Sequence, residues 1–164
     1  MANKDFGIRD GEKAVELPAR PDAGLYFIGR IHTGARVDYI SGDWLEMRIR
    51  LPLSWRTRNY VGTIFGGSLY GSIDPMYMLM LIRTLGSEYI VWDKAATIRF
   101  RRPGRSTLYA SFRLATESLE EIREAARREG RIDRTFEVEL VDAAGEVHAT
   151  ATKVVHIRWK GASP

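Results

Sequence analysis

Apolar and polar residues alternate in two segments of the chain, which span residues 44–53 and 107–115. Successive side chains of a β-strand point to opposite faces of its sheet, so the alternation predicts two half-buried strands. Shorter runs of β-forming residues predict four more strands, at residues 35–40, 89–101, 135–141 and 147–159. The last two flank Ala143-Ala144-Gly145, which is typical of a hairpin turn.

Two further segments have the spacing of helices. Residues 65–85 are almost wholly apolar and predict one long buried helix, while residues 117–129 predict an amphipathic surface helix that ends at Gly130. Strands in succession with a segregated helix favour an α+β fold, in which an antiparallel sheet wraps around one central helix. Because such a sheet leaves its edges exposed, we expect a partner subunit.

The chain reads as one domain at residues 35–160, preceded by a lead-in at residues 1–34 that contains a short helix near residues 25–31. The first residues lack the apolar stretch of a secretory signal. The apolar segment 64–82 includes Asp74 and Pro75, which favours a buried core helix over a membrane span. We therefore expect a cytoplasmic protein that does not bind a membrane.

Composition excludes several classes of site. The 164 residues include no cysteine, so disulfides, thiolate metal sites and cysteine nucleophiles are excluded. The histidines have no metal-ligand spacing, and we expect no metal site. The net charge is +4, and only five of the 25 basic residues are lysines, so arginine dominates. This excess indicates an anionic partner, although no nucleic-acid-binding motif is present and we expect no nucleic acid.

Asp74 is the only Asp, Glu, Lys, Arg or His between Gly66 and Ile82. A carboxylate on an apolar helix is costly to bury unless it is paired, so Asp74 is either a functional group or a structural one held by a neighbour. Pro75 follows it and is expected to kink the helix there. Gly66 and Gly67 begin the helix, where unpaired N–H groups can hold a carbonyl oxygen that becomes negative during acyl transfer. The alternative is that the two glycines only form a tight turn.

These residues resemble a known family. The segment NYVGTIFGG at residues 59–67, with Asp74 seven residues after the second glycine, is similar to the HotDog-fold acyl-CoA thioesterases, whose phenylacetyl-CoA thioesterase-like branch has Asn-x-x-Gly-x-x-His-Gly-Gly. GTIFGG at residues 62–67 and VWDKAATIRF at residues 91–100 more closely resemble an uncharacterised HotDog family of unknown function. The resemblance covers about residues 35–158.

The resemblance implies a role for each matching residue. Gly67 would polarise the thioester carbonyl, Asp74 would be the nucleophile or the general base, and Asn59 would position water or substrate. Phe65 occupies the family's histidine position, so chemistry that uses that imidazole is absent. Coenzyme A would be present only as part of the substrate, and the site would lie between the subunits of a homodimer or homotetramer.

Basic residues supply the remaining candidates. Lys94 shares a predicted strand face with Ala96 and Ile98, which predicts that it pairs with Asp74 or contacts the substrate; otherwise it is a lysine that reaches solvent at the strand's start. Arginine suits phosphate, so the arginines near Pro103-Gly104 are candidates for the coenzyme A phosphates, or else a solvated face paired with acids of a neighbouring chain. The predicted substrate-binding residues are Phe65, Gly66, Ser68, Tyr70, Lys94, Arg101, Arg102 and Arg105.

The sequence therefore predicts a hydrolase that cleaves an acyl or aryl thioester of coenzyme A, with Asp74 as the acting carboxylate and the start of the helix as the oxyanion site. The aromatic and methionine residues Phe65, Tyr70, Tyr77 and Met78 suggest an apolar acyl group, although such residues are commonly core. The alternative is a non-catalytic HotDog protein that binds acyl-CoA or lipid.

Overall fold

A computed structural model describes residues 33–162 of the chain. Within these residues, six strands form one antiparallel sheet in the order β1-β2-β4-β5-β6-β3. The strands are β1 (Arg36–Ile40), β2 (Glu46–Leu51), β3 (Tyr89–Phe100), β4 (Leu108–Arg113), β5 (Arg131–Val141) and β6 (Val147–Trp159). The predicted α+β class and the antiparallel sheet are confirmed. The predicted lead-in at residues 1–34, with its short helix, lies almost entirely outside the described residues.

The alternating segments form neighbouring strands whose apolar residues lie on one face. Met47 is paired with Phe112, and Ile49 with Ala110, in the β2–β4 register. Residues directly opposite each other in an antiparallel pair share a face of the sheet, so these four side chains form one apolar surface. All four are essentially buried. The period-2 pattern thus predicted both the strands and the face that each presents to the core.

The central helix covers that face in two segments, α1 (Gly66–Ile73) and α2 (Met76–Leu85). Asp74 and Pro75 between them keep right-handed helical conformations, and Asp74 N donates to Tyr70 O at 3.0 Å. Pro75 has no N–H to donate to Gly71 O, so the hydrogen-bond ladder is interrupted there. The single helix predicted over 65–85 is confirmed, with its interruption at the predicted position. None of the helices in residues 33–162 is long and apolar enough to span a membrane.

The amphipathic helix α3 (Thr116–Glu129) packs on the sheet near β5 and β6. Its buried residues Leu119, Ile122 and Ala126 lie on one face, as the spacing predicts. Gly130 has a φ of +77°, a left-handed conformation that glycine adopts without strain and that ends the helix. The chain turns there directly into β5.

A β-bulge interrupts the pairing of β3 with β6. Asp93 lies opposite Val155 but Ala95 lies opposite Val154, so Lys94 is an extra residue on the β3 side. On the far side of the bulge, Ala96 pairs with the buried Lys153. Asp93 and Ala96 therefore both face the central helix, and the simple alternation of faces fails at Lys94. β3 is the last strand of the sheet, and most of its residues after Asp93 are exposed.

Candidate functional site

The candidate site centres on Asp74, at the interruption between α1 and α2. Tyr70 lies one turn earlier, and its hydroxyl donates a hydrogen bond to Asp74 Oδ1. The i, i+4 spacing places both side chains on one face of the helix. The Asp74 side chain remains 37% exposed, so the carboxylate can be approached from solvent.

Lys153 reaches Asp74 from the sheet. It occupies an inward position of β6 between Ala151 and Val155, and its side chain is fully buried. Its ammonium donates to Asp74 Oδ1 and lies 3.1 Å from Asp93 Oδ1 on β3. The second contact is an ion pair, and Asp93 Oδ1 is buried there with no hydrogen bond from a described residue. One buried cation is thus shared by two carboxylates.

The surroundings shift three pKa values in the same direction. Burial acts to lower the pKa of Lys153, but its contacts with Asp74 and Asp93 outweigh burial and raise that pKa above its ordinary range. Burial raises the pKa of Asp93, with Lys153 opposing the shift. Burial and the hydrogen bond to Asp74 raise the pKa of Tyr70. At neutral pH, Lys153 is therefore an ammonium ion rather than a nucleophile, and Tyr70 is a neutral donor.

The predicted pairing of Lys94 with Asp74 is wrong. Lys94 lies 2.6 Å from Asp133 on the outer face of the sheet, and its side chain is 54% exposed. The physical reason is the bulge, which turns Lys94 away from the face that Ala96 and Ile98 share. Lys153 makes the ion pair that we expected of Lys94. Whether Lys94 contacts a substrate stays a prediction.

The start of α1 combines free backbone donors with aromatic rings. Leu69 N makes the first α-helical hydrogen bond, to Phe65 O, so the N–H groups of Gly66, Gly67 and Ser68 precede the helical ladder. A side chain at Gly67 would overlap the ring of Phe65, and a Cβ at Gly66 would lie 3.1 Å from Phe100 Cζ. Gly67 is exposed while Ser68 is buried. The two glycines thus leave room for two aromatic rings at the helix start.

Asn59 holds the loop that leads into α1. Its Oδ1 accepts hydrogen bonds from Val61 N at 3.1 Å and from Thr63 N at 3.0 Å, and its Nδ2 donates to Thr63 Oγ1 at 2.9 Å. These bonds engage both ends of the amide in shaping the loop. The predicted role of Asn59 in positioning water or substrate stays a prediction.

The arginine-rich turn after β3 lies beside the same loop. Ile64 N donates to Gly104 O at 2.9 Å, which ties the turn to the entrance of α1. Arg101 and Arg105 are exposed, and Arg102 forms an ion pair with Glu146 in the β5–β6 hairpin. The turn that carries the three candidate phosphate-binding arginines is thus hydrogen-bonded to the loop that enters α1, and the role of these arginines stays a prediction.

Asp142, Glu146 and His148 are the one group in residues 33–162 whose ligand atoms all lie close enough, within 4.8 Å, to hold a metal ion. These residues already have partners. Asp142 Oδ1 accepts hydrogen bonds from two backbone N–H groups of the hairpin turn, His148 contacts Pro103 O at 3.1 Å, and Glu146 pairs with Arg102. These contacts stabilise the β5–β6 hairpin and explain why the three side chains lie together.

Tyr77 is a core residue rather than a substrate contact. It is buried, stacks on Phe136 with ring centroids 4.5 Å apart, and meets Phe112 edge-on at 5.3 Å. Among the aromatic residues suggested for an acyl pocket, only Phe65 and Tyr70 lie at the candidate site. Tyr77 instead fixes α2 against the sheet.

The family model for a domain of unknown function, DUF4442, matches residues 27–157. The chain belongs to this family. The match begins before the described residues and ends within β6, so it includes every residue of the candidate site. The comparison of this chain with curated proteins found no match.

Solved structures share the fold of this DUF4442 protein. A Pseudomonas aeruginosa protein of unknown function, described as a probable thioesterase, aligns with a TM-score of 0.71 and 24% identity over 84% of this chain and 89% of that chain. A Haemophilus influenzae thioesterase aligns with a TM-score of 0.58 and 13% identity over 80% and 82% of the two chains. The PaaI protein of the E. coli phenylacetic acid degradation operon aligns at 0.55 and 16%, over 82% and 83%. The fold is the HotDog fold, as the sequence resemblance implied.

Sequence reasoning missed Lys153 and Asp93. The signal for Lys153 was present, because it interrupts the inward-facing series Ala149, Ala151, Val155 and Ile157 of β6. A lysine at an inward position of a buried strand requires a partner. No comparable signal marked Asp93, because its face depends on the bulge at Lys94.

Proposed function

We propose that this DUF4442 protein hydrolyses an acyl thioester, with Asp74 as general base. The observation that carries the proposal is a carboxylate at a helix interruption that is held by buried Lys153 and by Tyr70 yet remains open to solvent. A carboxylate fixed in this way and still accessible is suited to act on a water molecule or a substrate. Of the three structural neighbours reported above, two have names that include the word thioesterase, which supports the same reaction.

The proposed reaction uses the carboxylate and the helix start together. Asp74 takes a proton from water, and the water oxygen bonds to the thioester carbonyl carbon. The carbonyl oxygen then carries a negative charge, which the N–H groups of Gly66 and Gly67 stabilise at the positive end of the helix dipole. The carbon–sulfur bond breaks, and the proton returns to the departing thiolate. The products are a carboxylic acid and a thiol.

The rings at the helix start favour an apolar or aryl acyl group. Phe65 is 57% exposed and Phe100 is 58% exposed, and both rings lie beside the glycines that would hold the carbonyl oxygen. Phe65 cannot transfer a proton, so it contributes contact area rather than acid–base chemistry. The arginines at 101, 102 and 105 are the proposed contacts for the phosphates of coenzyme A.

A second copy of the chain is part of the proposal. β3 is an edge strand, and residues 94–97 on it are exposed. An unpaired edge strand can pair with an equivalent strand of another copy. Sedimentation analysis should show a dimer or tetramer, and Ala96→Pro, which removes an N–H directed away from β6, should shift it toward monomer. A wild-type protein that sediments as a monomer at micromolar concentration would contradict this part.

Binding of acyl-CoA without turnover is the second candidate function. Phe65 in place of a histidine favours it, and so does the engagement of Asp74 Oδ1 by two donors. Turnover separates the two candidates. Under the first, wild type releases free thiol from a panel of aliphatic and aryl acyl-CoAs, and Asp74→Asn lowers kcat by at least about a hundredfold while binding persists.

Asp133→Asn provides the matched control, because it neutralises a carboxylate on the outer face of the same sheet. Its rate of thiol release should equal that of wild type. Thermal stabilisation by acyl-CoA with no thiol released would decide for the binding protein. Equal turnover by Asp74→Asn and wild type would exclude Asp74 as the base.

A further inference from the structure

Lys153 is the only completely buried charged side chain in residues 33–162. Burying an ammonium is costly unless good partners surround it, and removing one partner leaves an uncompensated charge. Nothing in the proposed hydrolysis needs a second carboxylate, yet Asp93 Oδ1 lies 3.1 Å from the same ammonium. The site therefore contains a second carboxylate whose purpose the reaction itself does not explain.

We infer that Lys153 and Asp93 are positioning residues that act as a balanced pair, holding Asp74 by Oδ1 so that Oδ2 is the oxygen that meets the water. The inference rests on the proposed function. Lys153 orients the carboxylate, and Asp93 offsets the positive charge that Lys153 brings to the site.

The contacts identify the reacting oxygen. Both donors to Asp74, the Tyr70 hydroxyl and the Lys153 ammonium, bind Oδ1. No described residue donates to Oδ2, and the side chain is 37% exposed. A carboxylate that is fixed through one oxygen can use the lone pairs of the other without losing its orientation. Oδ2 is therefore the oxygen available for proton transfer.

The charges explain why Asp93 accompanies Lys153. Asp74, Asp93 and Lys153 together carry a net charge of −1 when all are ionised. A positive neighbour favours the ionised form of a carboxylate and weakens it as a base, whereas a negative neighbour does the opposite. Asp93 thus offsets the charge of Lys153, while the ammonium still fixes the geometry.

The other elements packed here add no compensating ion. β5 places Phe136 opposite Lys153, and α1 supplies Tyr70, whose raised pKa keeps it neutral. On α2, Tyr77 stacks on Phe136 and donates its hydroxyl to Glu137 O at 3.2 Å. The described charged groups that contact Asp74 or its ammonium partner are therefore Lys153 and Asp93.

Opposite shifts of the pH–rate profile test the inference. Asp93→Asn removes a negative charge, so the acid limb of kcat/KM should move to lower pH by about one unit, with a lower plateau. Lys153→Met removes a positive charge, so the limb should move to higher pH. The double variant should return the limb toward its wild-type position. A purely structural role would lower activity without moving the limb.

Matched surface changes serve as controls. Asp133→Asn and Arg158→Met remove one negative and one positive charge from the outer face of β5 and β6, and neither should move the limb. If Lys153→Met does not fold, Asp93→Asn alone tests the inference: a shift of the acid limb to lower pH supports it, and an unchanged limb contradicts it. Limbs that stay in place, or that move in the same direction in both variants, would overturn the inference.

A readout without turnover separates this inference from the proposed function. Carbon-13 NMR of the aspartate carboxyls follows the inner cluster directly. Lys153→Met should raise the pKa of Asp93 further, because the ammonium opposes the effect of burial there. A protein that hydrolyses no thioester overturns the proposed function even when the Asp93 midpoint moves. Active enzyme in which that midpoint does not move overturns the inference alone.

Discussion

Two ionic clusters lie on opposite faces of the same strands. On the inner face, Lys153 is shared by Asp74 and Asp93 and is completely buried. On the outer face, Asp133 is shared by Lys94 and His156, each at 2.6 Å, and the Lys94 side chain is 54% exposed. The inner cluster has one cation between two carboxylates, while the outer has one carboxylate between two basic groups.

The two clusters contain the same kinds of charged group but differ in their exposure to solvent. Water and salt screen exposed pairs, so such pairs contribute little to stability, whereas a buried charge that loses its partner is strongly destabilising. The bulge at Lys94 assigns neighbouring residues to different clusters, because Asp93 faces inward and Lys94 outward. Adjacent residues of one strand thus have unequal consequences when they are changed.

The largest expected difference concerns the two lysines. Lys153→Met leaves Asp74 and Asp93 close together without their cation, and should lower the free energy of unfolding by about 3 kcal/mol. Lys94→Met removes an exposed side chain and should leave that free energy close to the wild-type value. Urea unfolding followed by circular dichroism measures both. Equal losses in the two variants would show that burial does not distinguish the clusters.

The next largest expected effect is a loss of stability at alkaline pH, to which the inner cluster contributes. The pKa values of Lys153 and Tyr70 are raised in the folded state, so their contribution to stability is complete below the unfolded pKa values and lost as pH rises through the folded ones. Stability should therefore fall above about pH 10. Urea unfolding between pH 8 and pH 11 should show a shallower fall for Lys153→Met than for wild type. An identical slope in the two proteins would contradict the shared ammonium.

The smallest expected effect concerns stability at acidic pH, because the pKa of Asp133 is lowered and that of Asp93 is raised. The Lys94 hydrogen bond, with that of His156, lowers the pKa of Asp133, so its stabilising contribution is present above the ordinary pKa of aspartate and lost as pH falls. Burial raises the pKa of Asp93, so its contribution is instead lost as pH rises through the folded value. Between about pH 3 and pH 6, Asp133→Asn should flatten the fall in stability on acidification, and Asp93→Asn should steepen it. Unfolding across this range measures both slopes, and slopes that change in the same direction would contradict the comparison.

The order of strands and helices followed from local pattern. Alternation predicted β2 and β4 with their buried faces, and the apolar run predicted the central helix with its interruption at Asp74 and Pro75. These features depend on residues a few positions apart, which determine propensity and periodicity. The resemblance of the motif at residues 59–67 to the HotDog thioesterases also implied the HotDog fold.

The partners of Asp74 did not follow from local pattern. Lys153 lies 79 residues from Asp74, and it reaches the carboxylate only because β6 runs beside β3 under the helix interruption. The expectation for Lys94 failed because period-2 alternation assumes an unbroken ladder, and one extra residue reverses the faces beyond it. A bulge arises from pairing with the neighbouring strand, which a single segment does not encode.

By itself, the sequence determined the elements, the apolar faces and the presence of a lone carboxylate on an apolar helix, because hydrophobic periodicity and glycine and proline placement act locally. Tertiary structure decided which lysine meets that carboxylate, which oxygen is engaged and which aspartate shares the charge. The physical reason is that a buried ion pair forms between strands and helix distant in sequence, and its register depends on one bulged residue.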